Sequence, residues 1–363
     1  MKGNFINTII FYLPLLVATS SFAQTKTSRG LYDFISIKQK IQGWIESGYY
    51  NGASIIIVKD NKIIYKNYFG SYKPETVVFI ASAGKWLAAA TIAAIVDEGK
   101  LSWNDKVKKW LPEFTDIKGE ATLAQLLSHT AGYPDYQPAD KPIDIYQTLT
   151  ESVKHIVSLP ADTLPGTKFK YGGLSMQVAG RMAELATGKD WETLFQEKIA
   201  IPLGMHSTHF TPVDSSGGHA PMLGGGARTT LEDYANFLAM IFNNGIYKGK
   251  RILSVNAIKT MQADHVLNAK VNTGEFVEKV RGSMRKDIYG LGEWREEVNK
   301  KDEATLISSP SWAGAYPWID KKNNVFGFFM THIVNARNGF NSFLSSPVLA
   351  MMTRDVLNTK QVK

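Results

Sequence analysis

The chain has 363 residues, a formal charge of +8, a pI near 9.2 and no cysteine. The missing cysteine excludes disulfides, thiol nucleophiles and cysteine-ligated zinc. The basic residues are scattered rather than gathered into runs, which argues against nucleic acid as a partner, and a 44% hydrophobic content with eight tryptophans is that of a packed globular protein.

The chain opens on Lys2, an apolar run from Ile9 to Ala18 and then Ser21-Phe22-Ala23. A basic flank, a run too short to span a bilayer and small residues before a cut after Ala23 together read as a secretory signal peptide over residues 1–23. Residues 24–363 are thus expected to be secreted, into a periplasm, with no membrane span after signal cleavage. Phe34, Ile37, Ile41, Trp44 and Ile45 recur at helical spacing up to Gly48. Two strand-like runs follow, Ser54–Val58 and Ile63–Tyr68, joined by Lys59-Asp60-Asn61-Lys62, which predicts an antiparallel hairpin.

The stretch Phe79-Ile80-Ala81-Ser82-Ala83-Gly84-Lys85-Trp86-Leu87 joins a short β-prone run to an apolar helix that Gly99 closes. Ser82 stands where backbone N–H groups and the positive end of a helix can support an acyl oxyanion. Lys85 lies one turn on, on the same face. A lysine at the start of a buried helix must be paired or neutral, and a neutral amine is what a general base requires. A second Ser-x-x-Lys, Ser283-Met284-Arg285-Lys286, lies among charges with no apolar periodicity and reads as surface.

Helical patterns dominate from Leu101 to about Gly245. Thr122 and Gln125 form a capping box before Ser128-His129-Thr130-Ala131-Gly132, where His129 reads as a hydrogen-bonded structural residue. The chain contains no G-x-S-x-G, so an α/β-hydrolase nucleophile elbow is absent. Tyr171 precedes a helix carrying Leu174, Val178, Met182 and Leu185 on one face, and is a candidate base. The alternative for Tyr171 is packing beneath a loop. His206 and His209 have no acidic third ligand at a suitable spacing, so no metal site and no cofactor are predicted. Strands are expected again over Leu306–Ser309, Ala315–Asp320 and Val325–Val334. A final helix is expected to open with Ser346 as cap and Pro347 at the first helical position.

Taken in order, Ser82-Ala83-Gly84-Lys85, Leu126 to Gly132, Pro165-Gly166 leading to Tyr171, Pro202-Leu203-Gly204-Met205 and the glycine loop before Arg228-Thr229-Thr230 resemble the serine β-lactamase and penicillin-binding-protein superfamily. The class C-like, family VIII-type esterase branch is the nearest in pattern. The resemblance implies an α+β, β-lactamase/transpeptidase-like fold: an antiparallel sheet flanked by helices (about 30–80 and 285–363) with an inserted all-helical lobe (about 86–284). It implies Ser82 as the acylated nucleophile, Lys85 and Tyr171 as partners in proton transfer, and an oxyanion hole made by the backbone N–H groups of Ser82 and Ala315. The segment Trp312-Ala313-Gly314-Ala315 resembles the third motif. Two positions depart from the family pattern. Gly173 stands where an asparagine often holds a substrate amide, and Trp312 where a cation often meets a carboxylate. Both departures favour an esterase-like serine hydrolase acting on a small-molecule ester, amide or β-lactam-like substrate. The alternatives are a β-lactamase, a D-amino-acid peptidase acting on cell-wall peptides, or a non-catalytic binding protein.

Overall fold

The computed structural model describes residues 32–134, 146–210, 219–335 and 339–359. The expected signal peptide lies outside them. Helix α1 (Ile35–Glu46) buries Ile37, Ile41 and Trp44, and Gly48 takes the left-handed conformation (φ +74°) that turns the chain into the sheet. Strands β1 (Tyr50–Lys59) and β2 (Lys62–Gly70) form the expected hairpin. Its two central residues, Asp60 and Asn61, both have positive φ, the backbone that a tight two-residue hairpin requires. After β3 (Val78–Phe79) and a 3₁₀ turn over Ala81–Ala83 comes α2 (Gly84–Asp97), in which every side chain from Gly84 to Ile95 is buried.

The inserted stretch is mainly helical: α3 (Val107–Trp110), α4 (Leu123–Leu127), α5 (Leu149–Ser158), α6 (Leu174–Thr187), α7 (Trp191–Phe195), a π-helical turn over Gln196–Ala200 and α8 (Ile201–Leu203). The sequence reading expected an all-helical lobe, and this is corrected by short strands within it. Strands β4 (His209–Phe210) and β5 (Ala227–Thr229) pair with β3 in a small sheet ordered β3-β5-β4. After α9 (Leu231–Phe242), β6 (Ile246–Tyr247) and β7 (Lys250–Arg251) form a second short hairpin, followed by α10 (Val255–Gln262) and α11 (Phe276–Arg281). Pairs and triplets of strand residues leave no alternation long enough to read.

The C-terminal part completes an antiparallel sheet with β8 (Trp294–Val298), β9 (Ala304–Ser308), β10 (Tyr316–Asp320) and β11 (Val325–Ile333), in the order β2-β1-β11-β10-β9-β8. The first hairpin therefore joins the late strands through β1 and β11. Strand β8 escaped the sequence reading because Arg295 and Glu296, which look like surface charges, are fully buried. Glu296 is held by Arg281, by Ser308 and by the Tyr316 hydroxyl at 2.9 Å, and Arg295 by Asp302 at 2.8 Å. Helix α12 (Ser342–Ser345) leads almost directly into α13 (Val348–Asn358). Pro347, not Ser346, occupies the N-cap of α13, because the Ser346 hydroxyl donates to the Gly314 carbonyl (2.8 Å) and ties the helix to the β10 approach.

Alternation along the strands divides the sheet between two cores. Ile55, Ile57, Trp318 and Phe329 pack under α1 and α13, whereas Ile56, Ile319, Phe328 and Met330 face α2 and α9. In the loop before β8, Gly292 (φ +76°) lies so close to α2 that a Cβ there would stand 2.7 Å from the Lys85 carbonyl. The next residue, Glu293, is fully buried. Burial pushes its carboxyl up to about 8, against the pull of Lys321, Arg295 and the Trp86 indole.

A raised folded-state value means that the native protein keeps a proton that the unfolded chain releases near 4.5. The stability this contributes is complete below that value and is lost as pH rises to about 8. Melting temperatures from pH 5 to 8 should therefore fall more steeply for wild type than for Glu293→Gln. Parallel curves for the two proteins would contradict a proton held at Glu293.

Candidate active site

The approach to Ser82 is strained. Ala81, fully packed, has φ +47°, a left-handed backbone that a non-glycine residue seldom adopts and that recurs at functional turns. The turn is clamped on several sides. Ile80 N–H donates to the Ala227 carbonyl (3.0 Å), Ser309 Oγ to the Ser82 carbonyl (3.2 Å) and the Tyr234 hydroxyl to the Ala83 carbonyl (2.7 Å). Strand β5, the end of β9 and α9 thus converge on the residues around the nucleophile candidate. Nothing in the local sequence announces Ala81, since the strain is imposed from outside the segment.

Lys85 is 3% exposed, and its Nζ lies 3.1 Å from Ser82 Oγ. A second hydrogen bond runs from Nζ to the Gly224 carbonyl. Desolvation brings Lys85 down from 10.5 to about 7, so near neutrality a large fraction of the amine carries a lone pair. The glycine run Leu223–Gly226 earns its composition here. A Cβ on Gly224 would stand 2.8 Å from the Gly173 Cα, so the loop reaches Lys85 in this way because Gly224 carries no side chain. Gly224 was legible only as part of a marker motif; its carbonyl is part of the lysine's environment.

Tyr171 stands two residues before the α6 N-cap, Gly173, with the Lys85 Nζ 4.8 Å from its ring centroid. The ring packs against His129, Tyr289 and Trp294 at centroid distances of 4.7, 5.9 and 5.2 Å. His129 holds both flanks of Tyr171. Its carbonyl accepts from Lys170 N–H (2.8 Å), and its Nδ1 accepts from Gly172 N–H (3.4 Å). That assigns the imidazole proton to Nε2, which faces the Tyr289 hydroxyl at 3.2 Å. Burial, with the Lys85 charge, keeps His129 well below the usual imidazole range, so the ring is neutral scaffolding, in line with the structural reading of the sequence.

The third-motif segment brings Ala313 and Ala315 into the core, and the ladder between β10 and β11 begins at Tyr316, one residue beyond Ala315. Gly314 (φ +104°) makes the turn beside Tyr50 and Thr331, where a Cβ would stand 2.8 Å from the Thr331 methyl and 3.0 Å from the Tyr50 hydroxyl and ring. Trp312 is 55% exposed and leans on Phe79 and His332, with centroids 6.3 and 5.6 Å away. Phe79 entered the sequence reading only as the start of the Ser82 stretch, and His332 only as part of the last expected strand. At Gly173 an added Cβ meets nothing within 4 Å, so the missing asparagine is a chemical difference and not a steric demand. The other Ser-x-x-Lys lies past the end of α11 with Met284 77% exposed, outside any helix. Among the described residues no group of three or more His, Asp or Glu is arranged to hold a metal ion.

The Beta-lactamase family model matches residues 37–340. A solved structure of a candidate β-lactamase from Bacteroides dorei DSM 17855 is 52% identical and superposes with a TM-score of 0.87, covering 90% of this chain and all of that one. Among characterised relatives, the D-alanyl-D-alanine-carboxypeptidase/endopeptidase AmpH of Escherichia coli K12 is 26% identical over 329 residues, 81% of this chain and 84% of its own. EstCE1, a hydrolase with promiscuous acyltransferase activity, shares the fold (TM-score 0.68, 19% identity, 88% of this chain and 97% of that one). A match over most of the length, joined by a half-identical relative of the same fold, places the chain in the Beta-lactamase family of serine hydrolases, within the serine β-lactamase and penicillin-binding-protein superfamily.

Proposed function

We propose that the protein is a secreted, periplasmic acyl hydrolase that works through an ester on Ser82, with esters or small amides as its substrates. The observation that carries this is the buried Lys85 amine, brought to about 7 and set 3.1 Å from Ser82 Oγ. Ser82 Oγ attacks the substrate carbonyl as its proton passes to Lys85 Nζ. The tetrahedral oxyanion is received by the backbone N–H groups of Ser82 and Ala315. Collapse breaks the bond to the leaving group, which takes the proton through Lys85 and Tyr171. Water then attacks the acyl-serine, its proton passing by the same route to Ser82 Oγ as the bond from that oxygen to the acyl carbon breaks and the acid is released. Trp312, Ala313, Gly314 and Gly173 line the substrate's place. Among the described residues no helix is long and apolar enough to cross a membrane, which suits an exported enzyme.

Trp312 turns this reading toward uncharged substrates, because an indole offers an apolar face and one neutral N–H where the family often has a cation. The likeness to AmpH supports a second reading, a D-amino-acid carboxypeptidase acting on cell-wall peptides. The two differ in whether the substrate carries a carboxylate. Loss of turnover with retained ligand binding would instead describe a penicillin-binding-like receptor.

Ser82→Ala should lower hydrolysis of p-nitrophenyl esters at least about a thousandfold and abolish fluorophosphonate labelling, while Ser283→Ala leaves both unchanged. Equal losses would remove Ser82 from its role. The pH profile of kcat/KM should rise through about 7 as Lys85 loses its proton and level off beyond it; a profile still climbing steeply above about pH 9 would contradict a neutral lysine base. Wild type should prefer a short p-nitrophenyl ester over a penicillin or a D-alanyl peptide. Trp312→Lys, alone or with Gly173→Asn, should shift that ratio toward the carboxylate substrates by about ten- to a hundredfold, the worth of a charge-assisted hydrogen bond kept in the transition state. A wild type that already prefers the carboxylates puts the peptidase reading first.

A further inference from the structure

The turn that leads into β10 is held by two serine hydroxyls from the C-terminal helices. Every carbonyl from Ser311 to Ala315 is engaged. Ser311 accepts from Gly314 N–H (3.0 Å), Ala313 from Ile333 N–H (2.8 Å) and Ala315 from Ser311 N–H (2.9 Å). The other two carbonyls are taken by side chains. Trp312 accepts from Ser342 Oγ (2.6 Å), at the start of α12, and Gly314 from Ser346 Oγ (2.8 Å), at its end. Both serines are buried.

The Gly314 carbonyl and the Ala315 N–H belong to one peptide unit. No peptide bond among the described residues is cis, so the two groups point in opposite directions. A hydroxyl that fixes the carbonyl therefore also fixes the N–H, aimed away from Ser346. Without that bond the unit would be easily turned, because it follows a glycine at φ +104°, whose backbone is the least restricted. Ala315 is fully buried, yet among the described residues nothing accepts from its N–H. The Ser82 N–H is likewise without an acceptor among the described residues. Buried amides left unpaired are rare in folded proteins, and a pair of them suits an oxygen that arrives with the substrate. One frame joins the two segments: Ser309 donates its N–H to the Pro317 carbonyl (3.2 Å) and its hydroxyl to the Ser82 carbonyl (3.2 Å).

We propose that Ser346 is a positioning residue for acyl transfer: its hydroxyl holds the Gly314–Ala315 peptide so that the Ala315 N–H stays turned to the substrate oxygen. Ser342 does the same for the peptide that begins at Trp312, and so steadies the turn. This rests on the acyl-serine reading above and adds to it the side chains that keep the oxyanion site in shape.

The test compares kcat/KM for p-nitrophenyl butyrate with that for its thiono counterpart, in which sulfur replaces the carbonyl oxygen. Sulfur is the weaker acceptor, so an aligned N–H favours the oxygen ester and the ratio of the two reports on alignment. Both substrates meet the same Ser82 and Lys85, so neither the folded fraction nor the state of the base moves the ratio. Ser346→Ala should lower kcat/KM for the oxygen ester by about ten- to a hundredfold, less than the loss of a whole oxyanion donor, and the ratio by about three- to tenfold. Ser346→Cys, a weak donor of similar size, should act in the same direction, and Ser346→Thr, which keeps the hydroxyl, should retain the wild-type ratio. Ser342→Ala should lower the ratio by less than Ser346→Ala does. Melting temperature and end-point fluorophosphonate labelling identify any variant that fails to fold, and Ser346→Cys, the closest to serine in size, then decides the matter. A folded, labelled Ser346→Ala or Ser346→Cys with an unchanged ratio overturns the proposal, and so does a lowered ratio in a folded Ser346→Thr. Turnover retained in Ser82→Ala, or a wild type with no preference for the oxygen ester, is a separate result, which removes the acyl-serine reading and the inference that rests on it.

Discussion

An amine enclosed in an apolar helix is the constraint on which the rest of the molecule turns. The side chains of α2 are buried in sequence from Gly84 to Ile95, Lys85 among them. A charged ammonium in such a place is expensive unless it is paired, and among the described residues no carboxylate accompanies this one; its hydrogen bonds go to a hydroxyl and a carbonyl. Burial brings the amine down to about 7, where it readily gives up its proton. Burial of a helix, a demand of packing, thus sets a weakened ammonium beside a serine.

Burying a helix on all sides requires neighbours that come close, and small residues supply them. Gly84 faces the Ala227 methyl at a distance that leaves no room for a Cβ, Gly292 presses on Ala89 and the Lys85 carbonyl, and Gly224 rests on Gly173. Each contact also has a chemical result. Ala227 brings β5 against the Ser82 turn, Gly292 lets the loop before β8 reach the Lys85 backbone, and Gly224 presents a carbonyl to the amine. Packing and catalytic environment are here the same set of contacts. The aromatic box around Tyr171 works in a similar way. His129 pins the backbone on both sides of the tyrosine, and its neutrality keeps a second cation away from Lys85.

One fold of this family carries proteins whose names span carboxypeptidase, esterase and penicillin-binding protein. Two positions that the sequence reading marked as departures from the family pattern have distinct surroundings: Gly173 opens onto free space, and Trp312 joins an aromatic cluster.

The hairpin, the buried helix after Ser82, the capping box at Thr122 and three of the four C-terminal strands were legible because each is carried by a local signal: period, turn chemistry or a cap. The pairing of Ser82 with Lys85 was legible for the same reason, since three residues of helix dictate it. Strand β8 was not, because Arg295 and Glu296 look solvated until Arg281, Tyr316 and Asp302 surround them, and Ser346 looked like a cap until Gly314 claimed its hydroxyl. The left-handed Ala81, the Gly224 carbonyl on Lys85 and the hold of His129 on Tyr171 likewise depend on partners that are distant in the chain or brought close by the fold. By itself the sequence determined which residues could react and where they stand along a helix. Only the tertiary structure decided how dry the lysine is, what holds the tyrosine and what faces the substrate, because desolvation and long-range contact belong to the packed molecule and have no local period to read.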